Sequence, residues 1–485
     1  MISGGLAQYA NRSITPSSRV AIFVESEPRL TWTSLLADAH PEAEIYLVGG
    51  TVRDVLLGHT PADIDLVIRN LEPEILERFL ARQGAVSFVG KRFGTFKFTP
   101  HGCRSKQPLD IAMPRTETIS NKHKSGRRDL KINSDHLISI DEDLSRRDFT
   151  INAIAYNLQN EEISDPFFGL RDLDSGIIRC VLNPQERFFE DATRILRGLR
   201  FASQLGFAID GETWEAIQMN LSLLNNTSMT DEGTHVYSVS RELIGKEFLL
   251  GFLAHPTHTL DLWLKSGALK QHLPSVFILS ETVEPDGETA LEKTKQVLHI
   301  LHKRDLLTTH HMQAPSSRVL VAALGLFLED APTQLHSVCK KMRFHQFSVN
   351  DRAHVDCGSL SWILQHLHDL ETIDPASMRP SAFERLFCTE RGQDLLLLIH
   401  ARHLMSGRHS IGRERLLQTM RISNNIYHGG KPKPLIGGSD LKMLGLEPGP
   451  MFRDLLDVAR DAQLTGHASS KEEAIFCIKT HLEQR

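Results

Sequence analysis

The chain has 485 residues, 41% hydrophobic and 24% charged, ordinary values for a globular protein, and at roughly 100–200 residues per domain it holds two to four packed units. Its 55 basic and 60 acidic residues leave a net charge of −5, which excludes a chain-wide basic footprint, so any nucleic-acid partner must be gripped by local patches. Six scattered cysteines without a CxxC pair speak against zinc or a disulfide framework and for reduced thiols in a cytoplasmic setting. With no run of 18 apolar residues and no basic-then-apolar leader, no membrane partner is expected.

Residues 1–40 carry no usable pattern. From Ile45 the text alternates between short apolar runs and helical stretches. Ile45–Val48 reads as a strand, followed by Gly49-Gly50 and a helix over Val52–Leu57 closed by Gly58. A second strand over Ile64–Ile68 leads to a helix over Glu72–Arg82 ended by Gly84, then strands near Val86–Val89, Thr95–Phe98 and Leu109–Ala112. This alternation predicts a small α/β domain. After about residue 185 the pattern is helical with no convincing strand, with amphipathic stretches at 190–205, 239–253, 317–328, 359–370 and 392–404. "HGGKPKPLIGG" (428–438) reads as a linker. Beyond it, Ser469 or Ser470 with Glu472 or Glu473 forms a capping box for a last helix.

The chemistry concentrates in "YLVGGTVRDVLLGHTPADIDLVIRN" (46–70). On a strand, Asp63 and Asp65 share one face while Ile64 and Leu66 take the other. Paired carboxylates repel unless a cation lies between them, and Mg²⁺ accepts carboxylate oxygens together with substrate phosphates. Gly49 and Gly50 let the backbone approach an anion at the start of a helix. Arg53 adds a charge-assisted fork. Together these features predict a nucleoside triphosphate site. The plainer alternative is a glycine turn beside exposed edge charges. Two-metal phosphoryl transfer asks for a third carboxylate near the nucleophile, and Asp110 in "PLDIAMPR" is the best candidate, though an isolated strand-edge aspartate reads the same way.

Two later segments add charge. In "SRRDFTIN", Asp148 is placed to N-cap a helix starting at Phe149 and Thr150, with Arg146 and Arg147 at its mouth and Asn152 one turn in. In "EDATRILRGLR", Asp191, Arg194 and Arg197 fall three residues apart, Arg200 extends the row, and Ile195, Leu196, Leu199 and Ala202 occupy the opposite side. A surface helix laced with ion pairs is the alternative. Cytosine and adenine both present an amine donor beside a ring-nitrogen acceptor, an order that an Asp191 acceptor and an Arg194 donor match. Uracil and guanine reverse it.

"GGTVRD…DIDL", "SRRDFTINAIAYN" (145–157), "DPFFGLRDL" (165–173) and "ERFFEDATRILRGLRFASQLGF" (186–207) resemble the bacterial tRNA nucleotidyltransferase and poly(A) polymerase family, the class II branch of the nucleotidyltransferases. "SVSRELIGKEFLLGF" (238–252) and "GSDLKMLGLEPGP" (438–450) continue the likeness more weakly. The resemblance implies an α+β fold: a small N-terminal α/β nucleotidyltransferase (polymerase beta-like) head followed by an elongated all-helical neck, body and tail. The expected division is an extension 1–40, a catalytic head 41–180, a nucleotide-selecting neck 181–270, an RNA-binding body 271–430 and a tRNA-binding tail 431–485. It further implies Asp63 and Asp65 as metal-binding catalytic residues with Asp110 assisting. Gly49, Gly50, Arg53, Arg147, Asp148, Asn152, Asp191, Arg194, Arg197 and Arg200 would bind nucleotide, Arg147 by direct contact and Asp148 and Asn152 at the ribose.

The expected activity is template-independent addition of CCA, or part of it, to tRNA 3′ ends from CTP and ATP, with Mg²⁺ as cofactor and no DNA partner. An A-adding or CC-adding specialist, a poly(A) polymerase and a non-catalytic RNA-binding module are the alternatives. "RVLVAALGLFLED" (318–330) lacks the His-Asp phosphohydrolase motif of some relatives, so no phosphatase activity is expected, and His310-His311 reads as an exposed loop pair. A polar loop between Arg115 and Arg146, with Glu117 near its start, corresponds to a loop that helps switch nucleotide selection in the family. Lys340, Lys341, Arg343, Arg402, Arg408, Arg413, Arg415, Lys431 and Lys433 are candidate RNA contacts, each equally readable as a solvated charge.

Overall fold

The computed structural model describes residues 14–88, 95–103, 105, 107–119, 130–229, 235–303, 315–346, 355–372, 377–407, 414, 418–419, 421–422 and 432–484. It divides into two compact units, Met1–Ala254 with Lys265–Gly267, and His255–Leu264 with Ala268–Arg485.

The first unit is built on a seven-stranded sheet in the order β3-β4-β5-β2-β1-β8-β9. Its strands are β1 (Glu44–Val48), β2 (Asp65–Arg69), β3 (Gly84–Phe88), β4 (Thr95–Pro100), β5 (Leu109–Ala112), β8 (Ala155–Asn157) and β9 (Ile163–Ser164). Only β2 and β5 run parallel; the other neighbours are antiparallel. β1 lies inside the sheet with Ile45, Tyr46, Leu47 and Val48 all buried, which explains its unbroken apolar text. β4 and β5 instead alternate: Phe96, Phe98, Leu109 and Ile111 are buried, while Thr95, Lys97, Asp110 and Ala112 are open on the other face. That open face carries the site. A separate antiparallel pair, β6 (Arg115–Ile119) and β7 (Leu130–Ser134), flanks it.

Residues before 40, unreadable in the sequence, form α1 (Pro16–Ser26) and α2 (Trp32–Ala39). Thr15 caps α1 by accepting from the Ser18 amide, with Pro16 in the first turn, a favoured start. Trp32 of α2 packs edge-on against Phe98 at 5.2 Å between ring centroids. The remaining helices of the sheet region are α3 (Gly50–Leu56), α4 (Pro73–Gln83), α5 (Ile140–Ser145) and α6 (Gly169–Ser175). They are followed by α7 (Pro184–Glu190), α8 (Thr193–Leu205), α9 (Gly211–Asn220) and α10 (Arg241–Ala254).

Three expectations need correction. The stretch 190–205 is not one helix, because the chain leaves helical geometry at Asp191 (φ −142°, ψ 96°) between α7 and α8. The region after 185 is not free of strands: β10 (Ile177–Ile178) pairs with β11 (Ala208–Ile209), and β12 (Thr227–Met229) with β13 (His235–Tyr237). Ladders this short leave no periodicity to read. Asp148 does not cap a helix; Thr150–Asn152 is a single 3₁₀ turn.

The second unit is helical among its described residues, including Ala290–His302, Ala331–Lys341, Cys357–Thr372, Pro380–Phe387 and Glu390–Met405. Ile436, Leu441, Leu455, Ala459, Ala468, Ala474 and Ile478 form a small core of their own around helices Pro450–Leu464 and Lys471–Glu483. Ser470 and Glu473 make the expected capping box. Lys340, Lys341 and Arg343 are exposed. His310-His311, Arg408, Arg413, Arg415, and residues 428–431 of the linker, Lys431 among them, lie outside the described residues. Among the described residues no helix is long and apolar enough to cross a membrane.

Candidate active site

A cavity of ≈ 710 Å³ opens over the polar face of the sheet and reaches α8. Of the residues singled out in the sequence, Gly49, Gly50, Arg53, Asp65, Asp110, Arg147, Asp148, Asn152, Asp191, Arg194 and Arg197 line it; Asp63 and Arg200 do not.

Asp65 opens β2 and stands in register with Asp110 on the parallel β5, so two carboxylates 45 positions apart in the chain share one face. Asp63 falls in the bend before β2, outside the alternation assumed for it. Its Oδ1 accepts from Gln107 Nε2 at 2.9 Å. Asp65 is electrostatically perturbed. Burial, with the charges of Asp110 and Asp63, pushes its pKa up to about 6 against the opposing pull of Arg147. Its backbone amide is held by Thr51 Oγ1 at 2.9 Å. Asp110 takes an ammonium, Lys97 Nζ, at 2.7 Å. The sequence reading passed over Lys97, although its alternation with Thr95 on β4 puts it on the site face.

Gly49 has φ +65°, a conformation that favours glycine, and a Cβ there would displace the Arg147 Nη1 that lies against it. Its amide donates to Ile154 O at 3.1 Å. The Arg147 guanidinium thus lies beside the turn that opens α3. Arg53, one turn into α3, donates to Asn152 Oδ1 at 2.7 Å and pairs with Asp54.

The arginine pair of "SRRD" is organised by Asp143, which sequence reasoning did not single out. Ser139 and Glu142 form a capping box at the start of α5, and Asp143 in that helix is fully buried. Its Oδ1 accepts from Arg146 at 2.7 Å and its Oδ2 from Arg147 at 3.2 Å. Burial alone would raise its pKa, but the two guanidiniums outweigh that and hold it below the usual carboxylate range. The i, i+3 and i, i+4 spacings were the available signal.

Asp148 is buried too. Its Oδ1 accepts from Asn152 Nδ2 at 2.9 Å and from the Phe149 amide at 2.8 Å, and its Oδ2 from Arg197 Nε at 2.7 Å. Burial opposes its ionisation, yet Arg197 and these hydrogen bonds hold its pKa far below the usual range. Arg194 is buried and donates to Arg146 O at 2.8 Å, with Glu190 at 3.6 Å. This is not the exposed ion-pair helix of the alternative reading. Asp191 Oδ1 accepts from Thr193 Oγ1 at 2.6 Å, which fixes the carboxylate at the break between α7 and α8. Arg200 turns away to Glu247 on α10 at 2.5 Å. Phe201, also missed, presents its ring to the guanidiniums of Arg53, Arg197 and Arg200 at 5.0, 5.3 and 4.1 Å, within cation–π range. The backbone of Glu117 lies on β6 opposite Ile132, but its side chain and residues 120–129 are outside the described part.

A mixed sheet presenting paired aspartates, a glycine turn leading into a short helix, and a buried set of arginines define a nucleotidyltransferase-type head with a helical extension. Residues 45–179 match the family described as the poly A polymerase head domain. The CCA-adding enzyme of Ligilactobacillus salivarius is 40% identical over 42% of this chain and 46% of its own length. Poly(A) polymerase I of Escherichia coli O6:H1 is 36% identical over 38% of this chain and 39% of its own. The chain thus matches less than half the length of each. In fold the whole chain is similar to the Bacillus stearothermophilus CCA-adding enzyme in complex with CTP (TM-score 0.63, 23% identity, 94% of this chain and 99% of that one). It is also similar to the Thermotoga maritima CCA-adding enzyme complexed with tRNA (TM-score 0.58, 20% identity, 99% and 98%).

Proposed function

We propose that the chain is a template-independent nucleotidyltransferase that extends tRNA 3′ ends with CCA, or part of it, from CTP and ATP, releasing pyrophosphate. The observation that carries this reading is the register of Asp65 with Asp110 on the floor of a cavity walled by Arg53, Arg147, Arg194 and Arg197. Acid on one side and guanidinium on the other suit a metal-bound triphosphate. The division into head (41–180), neck (181–270), body (271–430) and tail (431–485), and a cytoplasmic setting in keeping with six free cysteines, belong to the same proposal.

The residues fit a divalent metal. Asp65 is a half-buried carboxylate with no hydrogen bond or ion pair to its oxygens among the described residues, next to a second carboxylate. No third His, Cys, Asp or Glu completes a preformed cage among the described residues, which suits Mg²⁺, a metal that takes few protein ligands and completes its shell with phosphate and water. Asp65 would hold the ion, Asp63 joining it on leaving Gln107, and Mg²⁺ would neutralise charge on the α-phosphate and lower the pKa of the attacking hydroxyl.

In this mechanism Asp110 orients the tRNA 3′-hydroxyl. Arg53 and Arg147 bind the departing pyrophosphate oxygens beside Gly49 and Gly50. Asp148 and Asn152, tied to each other and to Arg197, meet the ribose. Asp191 accepts from the amine of cytosine or adenine while Arg194 donates to the adjacent ring nitrogen. One pocket therefore serves CTP and ATP and rejects UTP and GTP, whose edges leave both groups unpaired.

The decisive experiment incubates the protein with tRNAs ending in the discriminator base, in C or in CC, with each NTP alone. Full CCA activity predicts CTP incorporation on the first two and a single A on the third, and no incorporation on any tRNA overturns the proposal. The similarity to a poly(A) polymerase favours one second reading, which long A tails on RNAs other than tRNA would establish.

A further inference from the structure

β4, β5 and β2 place three charged side chains abreast on the open sheet face. Lys97 is in register with Asp110, and Asp110 with Asp65. All three line the cavity. The Lys97 ammonium sits 2.7 Å from Asp110 Oδ1, while the two side chains remain 46% and 34% exposed. A pair this open to solvent is weak and easily parted. Lysine also carries its charge as a point on a flexible four-carbon stem, without the fixed fork of an arginine. Asp65, more deeply placed, has no such counter-ion.

We infer that Lys97 is a stand-in cation, occupying the Asp110 end of the carboxylate pair in the metal-free protein and yielding it when a divalent ion binds. This inference rests on the metal-dependent reading above. A divalent ion held by Asp65 would also draw on the negative charge of Asp110 beside it. An ammonium hydrogen-bonded to Asp110 neutralises that charge and adds a repelling one. Metal and Lys97 therefore compete. When the ion wins, the stem swings the ammonium into the cavity, where an incoming triphosphate is the available anion. The arrangement keeps the two carboxylates from facing each other uncompensated between turnovers.

The test titrates Mn²⁺ into the nucleotide-free full-length protein and follows bound ion by electron paramagnetic resonance. Asp65→Asn serves as the site control. In Lys97→Met the Mn²⁺ dissociation constant should fall about two- to fivefold, the scale of a partly exposed ion pair. The gain should shrink at roughly 0.5 M KCl, where such pairs are screened. Lys97→Arg, which keeps the charge, should stay close to the unsubstituted protein. Unchanged or weaker Mn²⁺ binding in Lys97→Met, with Asp65→Asn still losing it, overturns the Lys97 inference and leaves the metal site standing. Equal Mn²⁺ binding by Asp65→Asn and the unsubstituted protein overturns both.

Discussion

Asp110 stands directly across from Asp65 on adjacent parallel strands, and only one of the two has a cation in direct ion-pair contact: Lys97 pairs with Asp110, while burial and neighbouring acids outweigh the more distant pull of Arg147 and raise Asp65. The site is thus asymmetric, with its unsatisfied charge at Asp65.

That asymmetry has a pH signature. With a folded-state pKa of about 6 above the ordinary carboxylate value, the folded state binds protons more readily than the unfolded chain, so Asp65 favours folding at low pH and loses that contribution as pH rises through about 6. In chelator-containing buffer, Asp65→Asn should melt at a higher temperature than the unsubstituted protein at pH 7.5, and the gap should close towards pH 4. A gap that widens on acidification would contradict the burial argument. Nucleotide addition should be lost at every pH.

Asp143 does not itself line the cavity but holds Arg146, Arg147 and the Arg115 amide, which do. Asp143→Asn preserves shape and removes the charge. Breaking a buried pair on one side typically costs about 3–5 kcal/mol, so the melting temperature should drop by several degrees. KM for CTP and ATP should rise at least tenfold, on the argument that Arg147 loses its anchor beside Gly49. Steady-state kinetics decide it: a fall in kcat with unchanged KM would place Asp143 outside phosphate binding.

Arg194→Ala should slow CTP and ATP addition together by about 100-fold and raise the relative use of UTP, because buried hydrogen-bond partners are what enforce discrimination. Single-nucleotide extension assays on CC-ended and discriminator-ended tRNA separate the two. Loss of one nucleotide with the other at full rate would mean two base pockets.

In the second unit, Arg460 forks onto Glu384 with both side chains buried and also donates to Pro432 O at 2.9 Å. Arg460→Met alone removes this fork from the buried Glu384 and should lower thermal stability by roughly 3–5 kcal/mol. Pairing it with Glu384→Leu should restore most of the loss. A double variant as unstable as the single one would show that the contact with Pro432 matters more than the charge.

The elements that the sequence read well were those with strong local periodicity. β5 is read with its observed ends because Leu109–Ala112 alternates strictly, and α4 to within one residue at each end because Gly84 stops it. Asp63 was misplaced because period two holds only inside a strand, and β2 begins at Asp65. The break at Asp191 carries no proline or glycine, so the helical pattern runs on across it. Arg197–Asp148 and Arg200–Glu247 join residues 49 and 47 apart. No local spacing encodes such a meeting, which is why Arg200 was assigned to the nucleotide when it faces Glu247.

The contact between Gly49 and Arg147 bears on how the head is assembled during synthesis. The central strand β1 pairs with β2, which follows it closely, and with β8, which emerges roughly 100 residues later; such distant pairings slow folding because a long loop must close first. A chain released from the ribosome only as far as β5 would carry Asp65, Asp110, Lys97 and Arg53 without Arg147, Arg194 and Arg197. The growing chain therefore passes through a stage in which its paired aspartates are made and most of the arginines of the cavity are not. β8 precedes α8 in the chain, so a head truncated just after β8 would hold Arg147 and lack Arg194 and Arg197.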